Sequence, residues 1–187
     1  MPRAGLDTDR VVDAGAAIAD AEGLDAVTLA RVAAGLGVRA PSLYNHVDGR
    51  GGLLRALAVR GVRELTAALR DAAVGRSGPD ALAATARAYR AYARAHPGLY
   101  AAGVAAPAPD DAEHQAAAQE TVDVVYAVLR AWALEGDDAV HAARAFRSAV
   151  HGFVLLEAAG GFAIPIDLDT SFERLVATLA AGLATGR

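Results

Sequence analysis

The chain has 187 residues, enough for one larger domain or a small domain joined to a medium one, and its formal net charge is −4. It is 54% hydrophobic but only 5% aromatic, so much of the apolar content is alanine, the strongest helix former, and an all-α fold is expected. Cysteine is absent, which excludes disulfides, thiolate metal sites and cysteine nucleophiles and fits a reducing, cytoplasmic setting.

Residues 1–7 read as a mobile arm. A first helix is predicted after Thr8, running to about Glu22: Val11, Val12, Ala14, Ile18 and Ala21 recur near helical period, and Gly23 ends it. Thr28 is a candidate N-cap for a short helix from Leu29 to about Leu36, because its hydroxyl can accept a bond from an orphan N–H of the first turn. Gly37 supplies the positive φ that a tight reversal needs. A second short helix is predicted from about Ala40, with Pro41 in its first turn, where the missing N–H costs nothing. Leu29, Val32, Ala33, Leu36, Val38 and Leu43 fall on faces that can meet, and Ala33 is small where the two backbones would cross. Two helices joined by a glycine-containing turn make a helix-turn-helix, whose second helix can lie in the DNA major groove. The outer face of that helix carries Arg39, Ser42, Tyr44, Asn45 and His46, nearly all hydrogen-bonding types. On spacing alone, a plain helical hairpin competes with this reading.

The charge pattern favours the first reading. Residues 1–27 hold two Arg against six acids, residues 28–60 hold five Arg (Arg31, Arg39, Arg50, Arg55, Arg60) against Asp48 alone, and residues 61–187 hold eleven Arg against fifteen acids. A polyanion needs such local positive charge, because phosphate contacts supply most of the binding energy.

After Val47 the run Asp48-Gly49-Arg50-Gly51-Gly52 is hinge-like. A long helix is predicted from about Gly52 to Val74, with Leu53, Leu54, Leu57, Val62, Leu65 and Leu69 buried. Residues 75–79 form a break, Asp80 is the candidate cap of a helix to about His96, and Pro97-Gly98 ends it. A short helical piece around residues 99–104 and a proline-containing loop over 105–111 follow. Helices of about 112–134, 137–159 and 169 or 170 to 184 complete the order. No signal-peptide run opens the chain, and the longest uncharged stretch, residues 95–109, holds three prolines, so no membrane span is expected.

Over residues 9–60 the chain resembles the TetR family of bacterial transcriptional repressors. The segment R-V-V-D-A-G-A-A-I-A-D-A-E-G-L is similar to the first helix of that family. The segment V-T-L-A-R-V-A-A-G-L-G-V-R-A-P-S-L-Y-N-H-V-D-G-R-G-G-L-L is similar to its helix-turn-helix and the start of its fourth helix. Gly23, Thr28, Ala33, Gly37, Val38, Leu43, Tyr44 and His46, in register, carry the likeness. Residues 61–187 resemble the family in helix count and layout, and H-P-G-L-Y near residue 100 and A-V-H-G-F near residue 151 resemble one of its C-terminal subclasses. Three positions depart from the pattern: Arg39 stands where Ser or Thr is usual, Val47 where Phe is usual, and Arg50 where Lys is usual.

The resemblance implies an N-terminal three-helix DNA-binding domain (residues 1–60). A long helix joins it to a C-terminal helical domain (residues 61–187) for ligand binding and dimerisation. Thr28, Tyr44, His46 and Arg50 would hold phosphates of a double-stranded operator, and Arg39, Ser42 and Asn45 would reach base edges. Ala40 and Pro41 could touch a thymine methyl; Tyr44 and His46 have packing as the alternative role. A homodimer on a near-palindromic site is implied, because one hairpin reads too few base pairs. Its interface would use Val150, Phe153, Val154 and Glu157 on one helix and Phe172, Leu175, Val176, Leu179 and Leu183 on the next, with Gly152 and Gly182 allowing close approach. A small-molecule effector, unidentified by sequence, would meet Tyr89, Tyr92 and His96 at i, i+3 and i+7 of one helix. Tyr100, Tyr126, Arg130, Phe146, Arg147 and His151 are further candidates.

An enzyme is the first rival. No Gly-rich phosphate loop or Ser, His and Asp set is evident, and the five histidines include no i, i+4 pair, so no catalytic residue, metal or cofactor is expected. The second rival is a helical small-molecule-binding or interaction protein that never meets DNA.

Overall fold

The computed structural model describes residues 5–185, and every regular element among them is helical. In chain order these are α1 (Thr8–Glu22), a 3₁₀ turn (Leu24–Ala26), α2 (Leu29–Leu36), a 3₁₀ helix (Ala40–Asn45), α3 (Gly49–Ala73), α4 (Gly78–Ala95), α5 (Pro97–Ala102), α6 (Ala112–Leu129), a 3₁₀ turn (Arg130–Trp132), α7 (Gly136–Ala158) and α8 (Leu168–Thr185). No helix among the described residues is long and apolar enough to cross a membrane. Of the arm expected over residues 1–7, residues 1–4 lie outside the described residues. Asp7 is already part of the helix start: its carboxylate accepts from the Arg10 N–H at 2.8 Å and caps α1, one residue before the threonine expected to begin it.

The fold divides into two compact units. The first comprises Met1–Arg63 and Ala95–Ala117, the second Glu64–Arg94 and Ala118–Arg187. The first unit therefore takes in α5, the following loop and the start of α6, which a simple cut after residue 60 leaves out.

The interior of the first unit is aliphatic. Val11, Val12, Ala16 and Ala19 of α1 pack with Val27, Leu29, Val32, Ala33, Leu43, Val47, Leu53 and Leu57, and Leu99 of α5 joins them. Each buried valine or leucine among them contributes about 1.5–3 kcal/mol relative to exposure. Close backbone approach seats α5: a Cβ on Gly98 would fall 2.1 Å from the Ala19 carbonyl carbon. The same α1 segment supplies a cap. Asp20 Oδ1 accepts from the N–H groups of Gly98 (2.8 Å) and Leu99 (3.0 Å), and Oδ2 meets His96 Nδ1 at 3.2 Å.

The second unit is built differently. Its centre holds Phe146, Val150, Phe153, Val154, Phe172 and Val176, and among them a buried arginine. Arg90 of α4 forks onto Glu157 of α7 (Nε–Oε2 2.8 Å, Nη2–Oε1 2.6 Å) and also reaches Asp169 of α8 at 2.8 Å. Its guanidinium carbon lies 5.3 Å and 4.9 Å from the ring centroids of Phe153 and Phe172. At the surface of the same helices, Arg87 makes a second fork onto Glu173 at 2.6 Å.

Candidate nucleic-acid interface

The helix-turn-helix can be followed bond by bond. Thr28 Oγ1 accepts from the Arg31 N–H at 3.3 Å and opens α2. Gly37 closes it at φ 67°, and two bonds mark a Schellman end: Gly37 N–H to the Ala34 carbonyl at 3.2 Å and Val38 N–H to the Ala33 carbonyl at 3.0 Å. Arg39 then stands at the N-cap position of the next element with no side-chain cap bond.

That element, Ala40–Asn45, is a 3₁₀ helix rather than the α-helix expected. Ser42 N–H bonds to the Arg39 carbonyl at 2.9 Å and His46 N–H to the Leu43 carbonyl at 2.9 Å. The first turn has no side-chain cap, and so short a piece has few i→i−4 bonds to hold an α-helical ladder. The tighter winding has a consequence. With three residues per turn, residues i and i+3 eclipse, so the segment has three rows. Ala40, Leu43 and His46 face inward; Leu43 is 0% exposed and the other two are half-buried. Pro41 and Tyr44 face outward, and Tyr44 is 64% exposed, so it is not a core residue. Arg39, Ser42 and Asn45 form the third row, with Arg39 and Asn45 exposed and Ser42 half-buried. The three side chains assigned to base edges thus share one edge of the element. His46, assigned to phosphate, lies on the row nearest the interior.

The positive charge of residues 28–60 is less available than its count suggests. Arg31 pairs with Glu22 of α1, and that contact holds the Glu22 carboxyl below its ordinary range. Arg50 donates Nε to the Val27 carbonyl at 2.7 Å and Nη2 to the Leu24 carbonyl at 3.0 Å, with Asp25 4.0 Å away. It thereby ties down the connection that positions Thr28. Arg55 forks onto Asp111 (2.6 and 2.5 Å) and reaches Glu113 at 2.9 Å, and Arg60 pairs with Asp13. Among the described residues, Arg39 alone of the five has no ion-pair partner.

The residues assigned to an effector are divided between the two compact units. The helical stripe Tyr89–Tyr92–His96 is broken, because a residue before proline is pushed out of the α region and α4 ends at Ala95. His96 adopts φ −131°, ψ 61° and pairs with Asp20 in the first unit, where Tyr100 is also buried. Tyr89, Tyr92 and Phe146 are buried in the second unit, and Tyr92 donates to Glu64 at 3.2 Å. There Tyr126 and His151 are half-buried, and Arg130 and Arg147 are exposed. Burial and the neighbouring Arg147 charge push the His151 imidazole below its ordinary pKa. Sequence reasoning missed Thr85, whose buried hydroxyl has no hydrogen-bond partner. It falls four residues before Tyr89 and seven before Tyr92, a helical period legible in the sequence had the proline been allowed to end the helix earlier.

Of the residues assigned to a dimer interface, Val150, Phe153, Val154, Phe172 and Val176 are buried within the chain, and Glu157 accepts from Arg90. An apolar stripe is visible in sequence, but whether the chain itself already covers it is decided by packing. Leu175, Leu179 and Leu183 remain half-exposed. Leu155 (48%) and Leu156 (50%), one step round α7 from the predicted stripe, are exposed, and a Cβ on Gly152 or Gly182 would meet nothing.

A capped helix, a glycine reversal and a short, outward-facing polar element over an aliphatic core define a helix-turn-helix protein of the DNA-binding class. Comparison with known proteins makes this specific. Residues 11–57 match the bacterial regulatory proteins of the tetR family, and residues 82–179 match the tetracyclin repressor-like C-terminal domain. The chain is 41% identical over 95% of its length, and 82% of the other's, to Rv0681 of Mycobacterium tuberculosis, an uncharacterized HTH-type transcriptional regulator. It is 36% identical to YobS of Bacillus subtilis, likewise an uncharacterized HTH-type transcriptional regulator, over 97% of this chain and 95% of that one. A solved protein of unknown function from Rhodococcus sp. RHA1 superposes with a TM-score of 0.83 at 27% identity, covering 99% of this chain and 100% of the other. The chain belongs to the TetR family of DNA-binding transcriptional regulators.

Proposed function

We propose that the protein is a repressor that binds a near-palindromic operator as a homodimer and releases it when a small molecule binds. The row Arg39, Ser42 and Asn45 along one edge of the Ala40–Asn45 element, its two ends exposed and Ser42 half-buried, is the observation that carries this reading. Arg39 reads guanine O6/N7, Asn45 reads adenine N6/N7, and Ser42 serves either. Pro41 and Tyr44 lie along the groove wall, with Thr28 at the start of α2 as a phosphate contact. Arg50 acts chiefly through the loop it holds. The repressor sense follows the description of the matched C-terminal domain. No catalytic role is assigned, and the protein is read as cytoplasmic.

Dimerisation is assigned to the outer faces of α7 and α8, through Leu155, Leu156, Leu175, Leu179 and Leu183, since these leucines of the two helices are exposed or half-buried. The effector is assigned to the second unit beside Thr85, Tyr89 and Tyr92, where an unpartnered hydroxyl offers a polar anchor in apolar surroundings.

Operator selection from random DNA, followed by gel shifts across a salt series, tests the reading. The dimer is expected to select an inverted repeat and to lose affinity steeply with salt. Asn45→Ala is expected to relax preference at one base pair per half-site by about 1–3 kcal/mol while leaving the fold intact. No selected sequence, or an Asn45→Ala variant with unchanged preference, refutes it.

A further inference from the structure

The first unit carries an opening lined by α3 and the loop before α6. It is an open cleft of about 630 Å³ between the N-terminal half of α3 and the segment leading from α5 into α6. That volume is in the ~300–1,000 Å³ range of small-molecule sites. Leu54, Ala58, Ala102, Ala105, Ala108 and Ala112 give it apolar walls of short side chains. Arg55, Asp110, Asp111, Glu113 and His114 supply the polar part.

The polar part is built rather than incidental. Gln115 Nε2 donates to the carbonyls of Ala108 and Pro109, both at 2.8 Å, and Asp111 N–H bonds to the Ala108 carbonyl at 3.0 Å, so the loop edge is held in place. Asp111 is committed twice, to the Arg55 guanidinium and to the His114 N–H at 3.1 Å, and these hold its pKa down at about 2. Glu113 is shared by Arg55 and Arg63. Two groups remain. Asp110 has no hydrogen-bond or ion-pair partner among the described residues, and its carboxylate is exposed at the cleft. His114, only 7% exposed, lines the cleft, and its buried Nε2 has no partner.

The lining charges select the ligand. Three carboxylates face one arginine, whose Nε and Nη2 are already given to carboxylates, so an anion finds no unused positive charge there. A cation finds Asp110. We propose that this cleft binds a small amphipathic amine, its ammonium on Asp110 and its hydrocarbon against the alanine walls and Leu54, beside the His114 ring. The cleft is lined by residues of the first unit, whereas the Thr85–Tyr89–Tyr92 stripe belongs to the second, and the proposal does not depend on the repressor reading.

The test is an NMR titration of the full-length ¹⁵N-labelled chain with phenethylamine, compared with 2-phenylethanol and 3-phenylpropionate, which match its shape with neutral and negative heads. Saturable shifts are expected at the His114 imidazole and the amides of Ala105, Ala108 and Ala112. The amine should bind roughly three- to fivefold tighter than the alcohol, the effect of one exposed ion pair, and the carboxylate weakest. Asp110→Asn, a change at an exposed and unpartnered residue, should bring amine and alcohol to equal affinity. Ala105→Trp, which fills the cleft from an exposed position, should abolish both. Shifts that map elsewhere, no saturable shift, equal binding of amine and alcohol to the unaltered chain, or a preference that survives Asp110→Asn would each overturn the proposal.

Discussion

The two compact units keep their charges in opposite places. In the first, the interior is aliphatic and the arginines that hold α1 and the turn after it lie at or close to the surface, Arg31 on Glu22, Arg60 on Asp13 and Arg50 on backbone carbonyls. In the second, an arginine sits among phenylalanines, with two carboxylates to neutralise it. A surface pair in water is worth little, about 0–1 kcal/mol, so the first unit relies on packing and caps and its charges set position. A buried pair is costly to assemble and more costly to break, so the second unit relies on a single polar arrangement being complete. The comparison teaches where each unit is vulnerable.

The sharpest way to break it is Arg90→Ala. The arginine side chain is 9% exposed and Glu157 14%, so the variant leaves a carboxylate nearly out of water, and urea unfolding should show a loss of about 3–5 kcal/mol. Replacing both, Arg90→Met with Glu157→Leu, should recover most of it; if the single change costs less than the double, the second unit does not depend on its buried charge. Leu43→Ala addresses the first unit. The side chain is fully buried beneath the recognition element, so the cost should be about 2–5 kcal/mol by urea unfolding. Operator binding should weaken further than the loss of folded protein explains, because the Arg39–Ser42–Asn45 row is set by how Leu43 seats. Thr28→Ala is smaller. Loss of the cap on α2 should cost about 0.5–2 kcal/mol, read by the same unfolding.

The least effect is in acid. Arg90 holds Glu157 below its usual 4.5, and Arg55 holds Asp111 down at about 2 against a usual 3.8. Carboxyls depressed in the folded state stabilise it fully above their unfolded pKa and lose that contribution as pH falls through the folded value. Urea midpoints should therefore fall as pH drops below about 4.5, and Arg55→Gln should flatten the part of that decline between 3.8 and about 2. An unchanged acid profile would mean the Arg55–Asp111 fork adds nothing to stability.

Much of the fold was legible because its signals are local. Thr28 caps the next turn, Gly37 reverses the chain, and Pro97 ends a helix, each acting within a few residues. The order of helices follows from such stops and from the apolar period between them. His96 lies off α4, because the proline after it ends the helix at Ala95. Of the interface, the identity of the recognition element was legible. Its 3₁₀ winding, which puts Arg39, Ser42 and Asn45 in one row, was not.

The sequence by itself determined that the chain is helical, where it turns, and which short segment presents hydrogen-bonding side chains, because helix propensity, capping and backbone restriction act between near neighbours. Only the tertiary structure decided which charges and which apolar faces are left over. Glu22, Asp13 and Asp111 come from 9, 47 and 56 residues away to neutralise arginines that look free in sequence. Phe153 and Phe172, which look like a free apolar stripe in sequence, are buried within the chain with ring centroids 5.0 Å apart. Charge and exposure depend on what lies across space, and no window along the chain contains that information.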